Sequence, residues 1–344
     1  MRAAVVETPG RLAIRTLSDP VPGPYQALTR QLYGGICAAT DRHLVEGELP
    51  IPGISYPLIL GHEAIGEVIA VGDKVRNLKP GDLVTRTGAP ATDGCGANWG
   101  GFAELGLAHD FMAMRDDGLA EEEWQAHTIN RVLPEGTDPA AATMMITWRE
   151  TLSYINRLGP VGGKRVLIIG SGGNGFSFLA LAKALGASAI AMIGNPRWAD
   201  KAARTGADAF ADYRDPDTIA HLRSVAQADG FDLMVDAVGH TGGIEGCLPL
   251  MAPGAAIGLY GIEALGERME ALARIAEQGY RTHGPGEYAE GEAHDQAVEL
   301  MESGALDAHV WFDPADPYPL DRIEDALAAV ANRESLKAVV CISD

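Results

Sequence analysis

Arg165 to Arg197 reads RVLIIGSGGNGFSFLALAKALGASAIAMIGNPR. Val166 to Ile169 is an apolar run, rich in β-branched residues and ended by glycine, the pattern of a strand buried in a parallel sheet. Gly170, Gly172 and Gly175 follow in G-x-G-x-x-G spacing. Phe176 to Leu185 then has helical apolar spacing, and Gly186 sits where a C-cap glycine belongs. A second apolar run, Ala189 to Ile193, ends at Gly194. Strand, glycine turn, helix, strand is the order of a dinucleotide-binding unit. There the first glycine allows the tight turn and the second lets backbone approach a pyrophosphate. The third lets helix and strand pack closely. Gly173 and Asn174 complete the loop, and the helix N-terminus offers N–H groups and positive dipole to the phosphates. The spacing alone also fits a glycine-rich turn that binds nothing; the flanking strands and helix favour the dinucleotide.

The end of the second strand selects the cofactor. NAD binders usually place Asp or Glu there to accept from the ribose 2′-OH. This chain has Gly194, Asn195, Pro196 and Arg197 instead. No carboxylate repels a 2′-phosphate, and Arg197 can pair with one. The reading favours NADP and leaves NAD open; a solvated Arg197 at a helix start is the alternative.

The whole chain has 344 residues, long enough for two domains. A formal charge of −20 argues against a nucleic-acid backbone or an anionic membrane as partner. Cys37, Cys95, Cys247 and Cys341 are widely spaced with no C-x-x-C, so neither a disulfide framework nor a cysteine zinc knuckle is encoded. The start, MRAAVVETPGRLAIRT, lacks an apolar signal core, and no apolar run approaches a membrane span. A soluble, cytoplasmic protein is expected.

Residues 1 to about 110 read as an all-β unit: short apolar runs (Ala3 to Val6, Ile65 to Val71, Leu83 to Thr85) separated by Pro and Gly turns. Within it Cys37, Thr40, Asp41, His43, His62 and Glu63 crowd onto loops beside strands. Cys, His and carboxylate together make a zinc ligand set, and a catalytic zinc keeps one position open. A small buried cysteine and a satisfied histidine account equally well for the composition. Asp116 to Trp124 is acidic and reads as an exposed helix start. Ala140 to Ile155 has helical spacing and carries Thr143, Trp148, Glu150 and Tyr154, each consistent with an ordinary packed helix.

After the glycine loop the alternation continues. Helices are expected to end at Gly206 and to cover Ile219 to Ala226 and Ile244 to Met251. Strands are expected at Leu233 to Asp236 and Ala256 to Tyr260, with Tyr213 near the end of an intervening strand. This βαβα order implies a parallel sheet with right-handed crossovers. Asp295 to Ser303 and Ile323 to Ala331 read as helices, and Ala338 to Ile342 as a closing strand.

Five segments occur in one order: GICAATDRH, LILGHEAIGEVIAVGDKVRNLKPGD, GGFAEL, the glycine loop, and PLDRIEDALAAVANRESLKAVV. That order resembles the zinc-containing alcohol and polyol dehydrogenases of the medium-chain dehydrogenase/reductase superfamily, over nearly the whole chain. The resemblance implies an α/β protein in which a GroES-like, β-rich catalytic domain (1–156 and 287–344) is wrapped around a Rossmann doubly wound domain (157–286). It implies hydride transfer between NAD(P), read above as NADP(H), and an alcohol or carbonyl (a secondary alcohol, polyol or sugar), with one catalytic zinc polarising the oxygen. It points to Cys37, His62 and Glu63 as metal ligands, to Thr40 touching the substrate oxygen and passing its proton towards His43, and to Asp41 orienting His62. Tyr213 is placed near the adenine, or is a surface tyrosine. A homodimer or homotetramer is implied. TDRHLVEGELP is similar to the glucose-dehydrogenase branch.

Three departures stand out. Relatives place one residue between the cysteine and the following hydroxyl, whereas Ala38 and Ala39 intervene here. Either the loop carries an extra residue and Thr40, Asp41 and His43 keep their roles, or Cys37 is out of register; the GIC match favours the insertion. At the later ligand position the alignment puts Thr143, a poor zinc ligand, so the metal is expected to be weakly held or absent. The lobe with four structural-zinc cysteines is missing, and no structural zinc is expected. Two other functions stay open: a zinc-free NADPH-dependent reductase of an activated double bond or quinone, and a non-catalytic NADPH-binding protein.

Overall fold

The computed structural model describes residues 1–49, 53–239 and 243–343. Residues 50–52, which include the last residue of the TDRHLVEGELP segment, lie outside that description. The chain forms two compact units: Met1–Thr147 with Trp311–Asp344, and Trp148–Val310.

The first unit begins with β1 (Arg2–Thr8), β2 (Arg11–Thr16) and β3 (Gln26–Gly35), then helix α1 (Thr40–Glu46). Next come β4 (Leu58–Ile59), β5 (Glu63–Val71), β6 (Leu83–Thr85), β7 (Gly96–Ala97) and β8 (Leu105–His109). The acidic stretch Asp116–Trp124, expected to start a helix, runs from the last residue of α2 (Phe111–Asp116) through α3 (Glu121–Trp124). Gly118, at φ +77°, turns the chain between them. Helix α4 (Met144–Leu158) leads out of this unit.

In the second unit, β9 (Arg165–Ile169), α5 (Gly173–Ala184), β10 (Ala189–Gly194), α6 (Ala199–Thr205) and β11 (Ala209–Asp212) form one half. The other half holds α7 (Thr218–Ala226), β12 (Phe231–Asp236), α8 (Gly243–Cys247), β13 (Met251–Leu259), α9 (Leu265–Glu277), β14 (Arg281–His283) and α10 (His294–Glu302). The six strands are parallel in the order β11-β10-β9-β12-β13-β14, the doubly wound dinucleotide-binding arrangement. Val166, Leu167 and Ile168 are fully buried, as their unbroken apolar run requires. The helix expected over Ile244–Met251 ends at Cys247. Pro249 has no N–H to continue it, and Met251 already belongs to β13.

The chain then returns to the first unit with β15 (Tyr318–Pro319), α11 (Ile323–Ala331) and β16 (Val339–Cys341). One sheet runs β15-β16-β3-β5-β6 with β8 on β3, and a second runs β2-β1-β4-β7. Ala4, Val6, Ile36, Leu60, Phe102, Ile323 and Val340 share one core cluster here.

The unit limits differ from the expected boundaries at 156/157 and 286/287. The α4 residues from Trp148 onward and residues 287–310 belong with the parallel sheet. Buried Arg149 pairs with Glu290 and lies 3.3 Å from His294, and Tyr154 stacks edge-on with Phe178 and Tyr260, which ties these segments together.

Candidate active site

Cys37 follows β3 in the turn before α1. His62 and Glu63 stand at the start of β5, and Glu63 pairs across the ladder with Gly35. One ligand atom from each of Cys37, His62 and Glu63 lies within 4.8 Å of the others. Asp41, fully buried on α1, fixes two of them. Its Oδ2 accepts from the Cys37 backbone N–H at 2.8 Å, and its Oδ1 lies 3.1 Å from His62 Nδ1. A histidine held this way at Nδ1 directs Nε2 outward as a metal donor. Ala38 and Ala39 lie in the turn before α1, and Cys37 stands beside His62.

Glu63 is held on both oxygens. Lys337, just before β16 and equally buried, forms an ion pair with Oε2, and the Thr147 hydroxyl donates to Oε1 at 3.1 Å. Oε1 is also 3.7 Å from His62 Nε2. Arg86, in left-handed backbone at φ +60°, donates to the His62 carbonyl at 3.2 Å. Burial opposes charge on Glu63, yet Lys337, His62 and Arg86 together hold its carboxyl below the ordinary range. Burial likewise opposes charge on His62, and Asp41 first, then Cys37, raises its pKa well above the usual value. A Cβ built on Gly35 stands 2.8 Å from Glu63 Oε2 and 3.6 Å from Thr143 Cβ, so only glycine leaves room for the carboxylate there.

Thiolate, imidazole and carboxylate converging on one point fit zinc. Thr143 is buried, and its hydroxyl donates to the Ala140 carbonyl at 2.8 Å, so it adds no anionic donor. Thr40 opens α1. The buried His43 ring groups with the exposed Glu46 and Glu48 rather than with Cys37, His62 and Glu63, and its Nε2 is 3.3 Å from Arg42. Lys337, Thr147, Arg86 and Trp99 were not anticipated as parts of this site. Trp99 lies with its ring centroid 5.4 Å from that of His62, tilted 50°.

The glycine loop sits in the other unit. Gly170 has φ +107°, and a Cβ on Gly175 would come 2.0 Å from the Gly170 carbonyl oxygen. Both are therefore confined to glycine. A Cβ on Gly172 would meet nothing within 4 Å, so backbone there is open to a ligand. Gly173 and Asn174 begin α5, which no side chain caps. These are the requirements of a pyrophosphate site. Gly194 ends β10 without a side chain, and its carbonyl accepts from Tyr213 N–H at 3.2 Å. The Asn195 backbone N–H donates to Ser171 Oγ at 2.8 Å, and the Asn195 side chain accepts from Arg197 N–H at 3.0 Å. The structure thus brings Gly194, Asn195, Arg197 and Tyr213 together. Arg197 is exposed, with its guanidinium 5.7 Å from the Trp198 ring, and no carboxylate pairs with it among the described residues.

The family model described as the alcohol dehydrogenase GroES-like domain matches residues 23–121, and that of the zinc-binding dehydrogenase matches residues 173–303. Sorbitol dehydrogenase of Bacillus subtilis is 24% identical over 99% of this chain and 97% of its own length. L-Galactonate-5-dehydrogenase of Escherichia coli is 26% identical over 76% of each chain. The solved alcohol dehydrogenase TADH from Thermus sp. ATN1 superposes with a TM-score of 0.79 at 24% identity, covering 99% of both chains. The chain belongs to the zinc-type medium-chain dehydrogenase/reductase superfamily, and it is an NAD(P)-linked alcohol oxidoreductase of that superfamily. No helix among the described residues is long and apolar enough to cross a membrane.

Proposed function

We propose that this protein transfers a hydride between NADP(H) and a secondary alcohol, polyol or sugar, or the corresponding carbonyl, with one zinc ion held by Cys37, His62 and Glu63. The reading is carried by the convergence of those three donors around a histidine oriented by buried Asp41. Bound zinc supplies a Lewis acid for the substrate oxygen, and the nicotinamide supplies or accepts the hydride. The protein's own residues do the rest. Asp41 keeps the His62 ring in one tautomer, and Lys337 and Thr147 hold the Glu63 carboxylate ready beside it. The Thr40 hydroxyl relays the substrate's proton, and His43, with Arg42, Glu46 and Glu48 around it, carries the proton on towards water.

In the unit holding the parallel sheet, Gly170, Gly172, Gly173, Asn174 and Gly175 cradle the pyrophosphate. Arg197 takes the 2′-phosphate with Asn195 and the Gly194 backbone, and Tyr213 stands beside the adenosine. Sugar alcohols and sugar acids, the compounds named for the Bacillus and Escherichia relatives, guide the choice of substrates to try. The protein works in the cytoplasm as a homodimer or homotetramer.

The test is a panel of secondary alcohols, sugar alcohols and sugar acids with NADP+ and NAD+, zinc being quantified on the same preparation and mass measured in solution. Zinc-dependent reduction of NADP+ supports the reading. Oxidation of NADPH by quinones or enones with no alcohol turnover and no zinc overturns it.

A further inference from the structure

We propose that Trp99 is a substrate-contacting residue that selects polyhydroxylated chains. Its indole face takes their C–H groups, and its Nε1–H donates to one of their hydroxyls. The inference rests on the reading of Cys37, His62 and Glu63 as the centre of alcohol oxidation.

Trp99 lies beside that centre, its ring 5.4 Å from the His62 ring. Its position is set by backbone. Gly101 N–H donates to the Gly61 carbonyl, immediately before His62, at 2.9 Å, and Ala89 N–H donates to the Gly100 carbonyl at 3.0 Å. A Cβ on Gly88 would come 1.7 Å from the Trp99 carbonyl oxygen, so the two backbones touch. Trp99 packs against the core cluster that holds Leu60 and Phe102. The residue is nevertheless only half-buried. Its Nε1–H finds no acceptor among the described residues and is not sealed from solvent.

An indole fixed in this way combines a flat apolar surface with one unused donor. Tryptophan normally satisfies that donor when it is covered. Ligand sites pair apolar walls with a few placed polar groups of this kind. A simple alcohol has one hydroxyl, which is committed to the reacting centre, and gains only the indole face. A sugar alcohol or sugar acid has neighbouring hydroxyls, one of which can accept from Nε1–H while its C–H groups lie on the ring. The donor therefore favours the polyhydroxylated class through the hydrogen bond it adds, which a simple alcohol cannot make.

The test compares wild type, Trp99→Phe and Trp99→Ala on five- and six-carbon sugar alcohols and sugar acids and on butan-2-ol. Zinc content and melting temperature are measured for each. Trp99→Phe keeps the ring and loses the N–H. It should raise KM for the best polyhydroxylated substrate about 2- to 12-fold and change KM for butan-2-ol by a smaller factor. Trp99→Ala should lower kcat/KM for that substrate on the order of 100-fold, at unaltered zinc content. An equal loss on both substrates in Trp99→Phe, or unchanged polyol kinetics in Trp99→Ala, overturns the role of Trp99 while leaving the alcohol dehydrogenase reading intact. A wild type that oxidises butan-2-ol but no polyhydroxylated compound also overturns it. A wild type that oxidises nothing on the panel overturns the underlying reading instead.

Discussion

Lys337→Met tests the electrostatics of the metal-ligand cluster. Lys337 and Glu63 form an ion pair in which each side chain is 3% exposed. Methionine replaces the ammonium with an apolar group of similar length, so the fold keeps its packing and loses one charge. Glu63 is then a buried carboxylate left with the Thr147 hydroxyl, the His62 ring and the more distant Arg86. Breaking a buried pair by removing one partner costs about 3–5 kcal/mol, because the remaining charge has left water without compensation. For a unit of this size that corresponds to a fall in melting temperature of roughly 6–20 °C. Zinc carries the missing positive charge to the same carboxylate, so the loss should shrink when the protein is loaded. The assay is thermal unfolding of wild type and variant after chelation and again with zinc restored. A loss under about 1 kcal/mol in the metal-free variant, the range of an exposed pair, would refute the reasoning. So would an equal loss with and without zinc.

Asp41→Asn turns one of two acceptor oxygens into a donor, which then faces either Cys37 N–H or His62 Nδ1. Zinc affinity, read by chelator competition, should fall about 10- to 100-fold, and an unchanged affinity would remove Asp41 from the positioning role. Arg197→Ala should weaken NADP+ about 10- to 150-fold and leave NAD+ nearly unaffected, measured by titration calorimetry; equal losses would exclude a 2′-phosphate contact. The rings of His109 and His127 stack at 3.5 Å, and burial, followed by the neighbouring His127, depresses the His109 pKa from 6.5 to about 4. The neutral ring is the folded form. Its contribution, roughly 3 kcal/mol, is therefore complete above pH 6.5 and is lost as pH falls from 6.5 through 4. Urea midpoints from pH 7 to 4 should drop less steeply in His109→Gln, and parallel slopes would contradict this.

What could be read from the chain follows from the range of each interaction. The parallel sheet was legible because its information is local: apolar runs at Val166–Ile169 and Ala189–Ile193, with glycines whose backbone demands are met within a few residues. Local reading failed where two signals compete, as at Ile244–Met251, where helical apolar spacing meets Pro249 and the proline wins. Cys37, His62 and Glu63 were found through a motif, but the charge that holds Glu63 was not. Lys337 is 274 residues away, and in SLKAVV it looks like a solvated lysine at the start of a strand. The signal was thermodynamic rather than periodic. A carboxylate at the first position of a strand as buried as β5 has to find a cation, and lysine inside a closing apolar run has to find an anion. Trp99 escaped for the converse reason. An aromatic residue before two glycines satisfies every local expectation of a turn, and only the approach of Gly101 to Gly61 brings its ring to His62. Thr143, where the chain departs from the family pattern, and Lys337 bear on the same quantity. With no anion at Thr143 and a cation on Glu63, the metal-free cluster carries little excess negative charge, so the expected behaviour is stable folding without zinc and a weaker hold on the ion than an anionic residue at position 143 would give.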